Sequence, residues 1–259
     1  MNVFPLSRDL FPSVEIKGGL CYFLIDTEYA GDCRYTMVES GVRRIYRRKL
    51  NDFDILIREP ILAGIVKKVA VHIGSEDEAV SSMISNDTPF GIPTNPEVSK
   101  KGNIKIYDSP SNQHNTMLFY LGKQGRSTAY IDRSIIKKNV ESIDTHKVLI
   151  PEAAGSGYDS IVIGKPEYAP PNSVCSQTYL FASFEDKPHA VNFIGYLKTK
   201  LFRILVAACK ISQHTPSKNY RFVPVQDFSR PWTDAELYAK YGLSSEEVAF
   251  VENMIRPME

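Results

Sequence analysis

The stretch from Ser173 to Ile211 constrains the fold more than any other part of the chain. Its first part, Ser173 to Phe184 (SVCSQTYLFASF), is an apolar run with β-formers throughout, and it predicts one long strand. Beyond it, Ala190, Ile194, Leu197, Leu201, Ile204, Leu205 and Ala208 recur at spacings of three and four. That periodicity predicts a single long amphipathic helix from Lys187 to about Ile211. An apolar stripe of this length must be covered by a sheet or by other helices.

The rest of the chain supplies both. Leu20 to Ile25 (LCYFLI) is a continuous apolar run after Gly18 and Gly19, which predicts a strand buried on both faces. Tyr29 to Asp32 reads as a turn, followed by strands at Arg34 to Val38, Arg43 to Lys49 and Asp54 to Ile57. Ile61 to Ile73 is apolar at helical spacing, and Ser75 with Glu78 predicts a capped helix through Ile84. After a loop-rich stretch from Ser85 to Gly102, strands are expected at Asn103 to Tyr107, Met117 to Leu121, Ser127 to Ile131 and Lys147 to Ile150. Asp132 is placed to cap a helix through Ile143. Two capping boxes close the chain: Thr233 with Glu236, stapled by Trp232 and Leu237, and Ser244 with Glu247, stapled by Leu243 and Val248. No βαβ rhythm appears, so the fold class is α+β, with mixed and antiparallel sheets, a long helix and a C-terminal helical pair.

Charge and composition narrow the function. Lys+Arg number 31 against 30 Asp+Glu, a net charge of +1, which argues against a free-standing nucleic-acid binder driven by overall charge. No apolar run reaches the length of a membrane span, and Met1 to Phe11 has no apolar segment of the secretory kind. Cys21, Cys33, Cys175 and Cys209 form no C-x-x-C pair and read as buried free thiols of a cytoplasmic protein. There is no glycine-rich phosphate loop, no G-x-S-x-G elbow, and no pairing among His72, His114, His146, His189 and His214 at metal-ligand spacing. Asn95-Pro96-Glu97-Val98 lacks the second proline and the aromatic of an amino-methyltransferase tetrad. Glu15-Ile16-Lys17 matches half of a nuclease metal site, which would need a further carboxylate on a neighbouring strand.

Phe11 to Gly19 (FPSVEIKGG) with Cys21 to Leu24 (CYFL), Pro89 to Asn95 (PFGIPTN), Tyr130 to Arg133 (YIDR), Lys147 to Pro151 (KVLIP), Ser176 to Leu180 (SQTYL) and Pro231 to Asp234 (PWTD) occur in that order. Together they resemble the C-terminal part of adenine-specific DNA methyltransferases of type II restriction-modification systems, including fused methylase-endonucleases. The resemblance spans nearly the whole chain. It implies residues 1–74 as the last strands of a methyltransferase domain plus a linker helix, and residues 75–259 as a TaqI-like target recognition domain. It also implies that S-adenosylmethionine and the catalytic tetrad belong to a methyltransferase domain absent from this chain. The expected partners are double-stranded DNA and that domain, in cis or as a separate chain. No membrane and no metal is expected.

Three loop segments match the positions where such a domain touches DNA. In the first, Asn86, Thr88, Phe90, Thr94 and Asn95 offer adenine- and thymine-reading groups. In the second, Gly155, Ser156 and Tyr158 combine close backbone approach with a donor and a stacking ring. In the third, Lys210 suits a phosphate, and Gln213 and His214 suit base edges. Their bland alternatives are a proline-rich surface loop, a hairpin tip and a helix C-terminus. Arg43, Arg44, Arg47, Arg48 and Lys49 form either a phosphate track or a solvated edge strand. Two other readings stay open: an enzyme, either nuclease or complete methyltransferase, and a protein-interaction scaffold built on the long helix.

Overall fold

The computed structural model describes residues 1–14, 16, 19–96, 104–122, 125–155 and 161–258. Among them are three sheets and five α-helices, an α+β fold.

The first sheet, order β2-β1-β3-β4, comprises β1 (Asn2–Phe4), β2 (Leu20–Tyr22), β3 (Cys33–Glu39) and β4 (Val42–Arg48). The β3–β4 hairpin forms as expected, because Ser40 and Gly41 both take positive φ (50° and 79°) and close a two-residue turn. One face of this sheet buries Val3, Tyr35 and Met37 with Tyr46 and Leu56. The register sends Arg44 and Arg48 to that side, and Arg48 stacks 5.2 Å over the Tyr35 ring while donating to the Ile57 carbonyl at 2.9 Å. The Leu20–Ile25 run is corrected. Only Leu20–Tyr22 is strand, and Leu24 and Ile25 are 92% and 72% exposed. An apolar run signals that burial is favourable, but no described segment covers this one. Asp54–Ile57 is not a strand either.

Helix α1 (Pro60–Ala70) starts with proline at its first turn and buries Leu62, Ile65, Val66 and Val69 in the main core. Ser75–Ile84 holds two short 3₁₀ turns in place of a helix. The Glu78 carboxylate accepts from Gly74 N at 2.8 Å, so the acid works locally without an α-helix behind it. Asp132 likewise caps only a 3₁₀ turn, accepting from Ser134 N at 2.8 Å.

Two small sheets follow. One, order β6-β5-β9, joins β5 (Thr116–Gly122), β6 (Gly125–Ile131) and β9 (Ser173–Cys175), with β5 and β9 parallel. The other, order β10-β7-β8, joins β7 (His146–Pro151), β8 (Glu167–Ala169) and β10 (Tyr179–Phe184). The expected long strand is therefore two strands in different sheets, and Ser176–Thr178 carries the chain between them. Ser176 N donates to Phe119 O at 2.9 Å and Gln177 N to Ile92 O at 2.8 Å, which ties the turn to both sides.

The expected long helix is also two, α2 (Lys187–Lys198) and α3 (Lys200–Cys209). Thr199 breaks it with extended backbone (φ −63°, ψ 149°). The side chain of Thr199 donates to Tyr196 O at 2.8 Å, and its backbone N–H is held by the same carbonyl. The Asp234 carboxylate then caps the new helix start, accepting from Lys200 N and Leu201 N at 2.9 Å. Ala190, Leu197, Leu201, Ile204 and Leu205 are buried inside the chain, so the stripe is not a scaffold's outer face. Both C-terminal capping boxes form, heading α4 (Asp234–Lys240) and α5 (Ser245–Met254). Packing of α1 against α3 and α5 places it in one core with β7, β10 and α2. All four cysteines are free. Cys175 is buried, Cys33 and Cys209 are half-buried, and Cys21, expected inside, is exposed beside the uncovered run.

Burial pushes up the phenols of Tyr35, Tyr179, Tyr196, Tyr220 and Tyr238 and the thiols of Cys175 and Cys209. The folded state keeps these protons where the unfolded chain loses them. Stability is therefore expected to fall as pH rises through the ordinary thiol and phenol values, roughly 8.5 and 10. Burial holds Lys147 down to about 8, which acts in the opposite sense above that pH but is one group against several. Urea midpoints at pH 8 and pH 10.5 check this, and an unchanged midpoint would contradict it.

Candidate nucleic-acid interface

The ends of the two small sheets enclose a cleft of about 410 Å³. Its apolar walls are Leu121 at the end of β5 and Pro151 at the end of β7. The Ser176–Thr178 turn supplies Gln177 and Thr178, and Tyr179 opens β10 beneath them. Gly164 completes a wall, because a Cβ there would lie 2.7 Å from Pro151 Cβ. Thr94 and His214 also line the cleft, so the first and third expected loops meet there.

Main-chain hydrogen bonds hold these loops together. Glu152 N donates to Thr178 O, Ala154 N to Gln213 O, and Thr215 N to Glu152 O, all at 2.9 Å. Ala154, next to Gly155 of the second expected segment, is thereby strapped to Gln213 of the third. His214 Nδ1 sits 2.7 and 2.9 Å from the two Glu152 carboxylate oxygens. Arg126 on β6 donates from Nη2 to Lys165 O at 2.8 Å and places Nη1 3.7 Å from Glu167 Oε1. Burial, with the Glu167 carboxylate beside it, pushes the Tyr179 phenol up, so Tyr179 acts here as a neutral group.

The expected contact residues divide into groups. Thr94 and His214 line the cleft, Gln213 is exposed next to it, and Asn95 is exposed beside Thr94. Gly155 is half-buried with positive φ (44°), and Ser156 and Tyr158 lie outside the described residues. Asn86 is exposed and Thr88 half-buried, in a part of the loop that does not line the cleft; Asn139 secures that part by donating to Pro89 O at 2.7 Å.

Two residues are corrected. Phe90 is 2% exposed and stacks on Phe181 with ring centroids 5.0 Å apart, so it is a core side chain with no free face for DNA. Lys210 is also 2% exposed, and its ammonium donates to the carbonyls of Ala154 and Val162. It is a strut between Ala154 and Val162, because a buried cation so engaged cannot reach a phosphate. Glu15 and Lys17 of the half metal site, and Glu97 and Val98 of the partial tetrad, lie outside the described residues. Among the described residues no His/Cys/Asp/Glu group could hold a metal, and no helix is long and apolar enough to cross a membrane.

The sequence reading missed Arg126, Glu152, Gln177 and Thr178. The available signal was the polar Ser-Gln-Thr interruption inside the apolar run from Ser173 to Phe184.

Comparison with known proteins gives one informative match. The chain is 34% identical over 87 residues to an uncharacterized adenine-specific methylase of Mycoplasma pneumoniae, and the aligned part is 29% of this chain and 21% of that protein. The match thus spans about a fifth of the relative's length. Neither a family model nor a solved structure matches the chain significantly.

Proposed function

We propose that this chain is the DNA sequence-recognition part of an adenine-specific DNA methyltransferase of a restriction-modification system. Residues 75–259 are a TaqI-like recognition domain in this reading, and residues 1–74 close a catalytic domain present in cis or as a separate chain. The observation that carries it is the meeting of Thr94, Glu152 and Ala153 just past β7, and His214 at one cleft, with Gln213 beside it. Hydroxyl, amide and imidazole groups held within one reach are what base-edge readout requires. The likeness to a protein named as an adenine-specific methylase supports the same reading. The uncovered Phe23, Leu24 and Ile25 fit a face that the catalytic domain covers.

An adenine-specific methyltransferase takes its methyl group from S-adenosylmethionine. The cofactor belongs to the catalytic partner in this reading.

The chain alone should bind duplex DNA with a Kd of about 1 μM or weaker at physiological salt, tightening steeply as salt is lowered. Fluorescence anisotropy over a salt series measures this. Absence of binding to any duplex at low salt would refute the proposal. The chain alone is also expected to transfer no methyl group from labelled S-adenosylmethionine to DNA, and incorporation above a heat-killed control would show a complete enzyme.

A further inference from the structure

We infer that the cleft between the two small sheets receives a single unstacked nucleobase, with Gln177 reading its edge. The inference rests on the DNA-binding function proposed above and adds a specific ligand and a specific reader to it. Three observations support it.

The first is shape. A side chain that reads a base within a stacked duplex must project outward into a groove. Gln177 instead forms part of a concave wall, so the base must come to it. The cleft, at about 410 Å³, falls in the range of ligand-holding pockets, which begins at about 300 Å³. Leu121 and Pro151 supply apolar walls for the faces of a flat ring.

The second is preorganisation. Gln177 N is fixed to Ile92 O at 2.8 Å, Ser176 N to Phe119 O at 2.9 Å, and Tyr179 N to Ser176 O at 3.1 Å. Ser176 and Thr178 are tied to each other through their hydroxyls at 2.7 Å. The side-chain amide of Gln177 makes no hydrogen bond with the described residues, so its donor and acceptor are both left for a ligand. An amide presents an adjacent donor and acceptor, which is the pattern that pairs bidentately with a base edge.

The third is charge. Arg126 lines the cleft at the start of β6; its Nη2 donates to Lys165 O, its Nη1 lies 3.7 Å from Glu167 Oε1, and the side chain stays 42% exposed, with N–H groups left over. A guanidinium there suits the phosphate of the nucleotide whose base enters.

The test uses the full chain and fluorescent oligonucleotides: a paired duplex, the same duplex with one unpaired 2-aminopurine, and the single strand. The unpaired and single-stranded forms are expected to bind about tenfold more tightly than the paired duplex, because they need no unstacking. The 2-aminopurine fluorescence is expected to change on binding. Gln177→Ala and Gln177→Glu should each abolish the preference, the second by removing the amide donor at nearly constant size. Gln113→Ala, at an exposed position that does not line the cleft, should leave the preference in place. Equal affinity for paired and unpaired forms, or a preference that survives both Gln177 variants in protein of unchanged melting temperature, would overturn the inference while DNA binding itself stands. Failure of the wild-type chain to bind any of the three would overturn the proposed function, and this inference with it.

Discussion

Phe193→Ala is expected to lower the unfolding free energy by about 3–5 kcal/mol. Phe193 is fully buried on α2, with ring centroids 5.2 Å from Phe184 and 5.0 Å from Phe228. Tyr196 and Phe202 extend the same cluster, their rings 5.0 Å apart. The cluster joins β10 to the α2–α3 pair, so truncation removes contacts between layers as well as transfer free energy. For a chain of this size the melting temperature should drop on the order of 10 °C. Calorimetry or urea unfolding checks it. A loss below about 1 kcal/mol would mean that the surrounding rings close over the gap.

Lys210→Met is expected to cost about 2–4 kcal/mol, since two carbonyls buried around the ammonium lose a charged donor. Its effect on DNA binding separates two roles. A lysine that contacts a phosphate contributes about one unit to the slope of log affinity against log salt. A strut contributes nothing to that slope, although its loss weakens binding by releasing Ala154 from Val162. The expected result is a destabilised variant with weaker binding and an unchanged slope. A variant of wild-type stability with a slope flattened by one unit would restore Lys210 as a phosphate contact.

The sequence disclosed what is determined locally. The Ser40-Gly41 turn and the capping boxes at Thr233 and Ser244 each require only residues within a few positions of one another, and all three form. The break at Thr199 was hard to read: its local mark is one threonine whose hydroxyl accepts from Phe202 N at 3.2 Å, and the carboxylate that also caps Lys200 and Leu201 comes from Asp234. Periodicity continues straight through Thr199 and carries no trace of that acid. Phe90 misled for a related reason. Its neighbours are polar loop residues, and its partner Phe181 lies on a strand far along the chain. Leu20 to Ile25 showed the limit of hydropathy, which reports that a run prefers burial but not whether a partner is at hand. At the candidate site, Thr94 and His214 were legible as polar loop residues, and both line the cleft. Gln177 was not, because apolar flanks on both sides read as one uninterrupted strand.

Four of the hydrogen bonds that assemble the cleft run between main-chain atoms: Gln177 to Ile92, Glu152 to Thr178, Ala154 to Gln213 and Thr215 to Glu152. Every residue except proline carries the same donor and acceptor, so these ties do not depend on which side chain stands at each position. The side chains that face the cleft can therefore be exchanged one loop at a time while the frame that aims them persists. In the reading proposed above, a surface built this way drifts between targets through single substitutions, each tested by selection on an already folded protein.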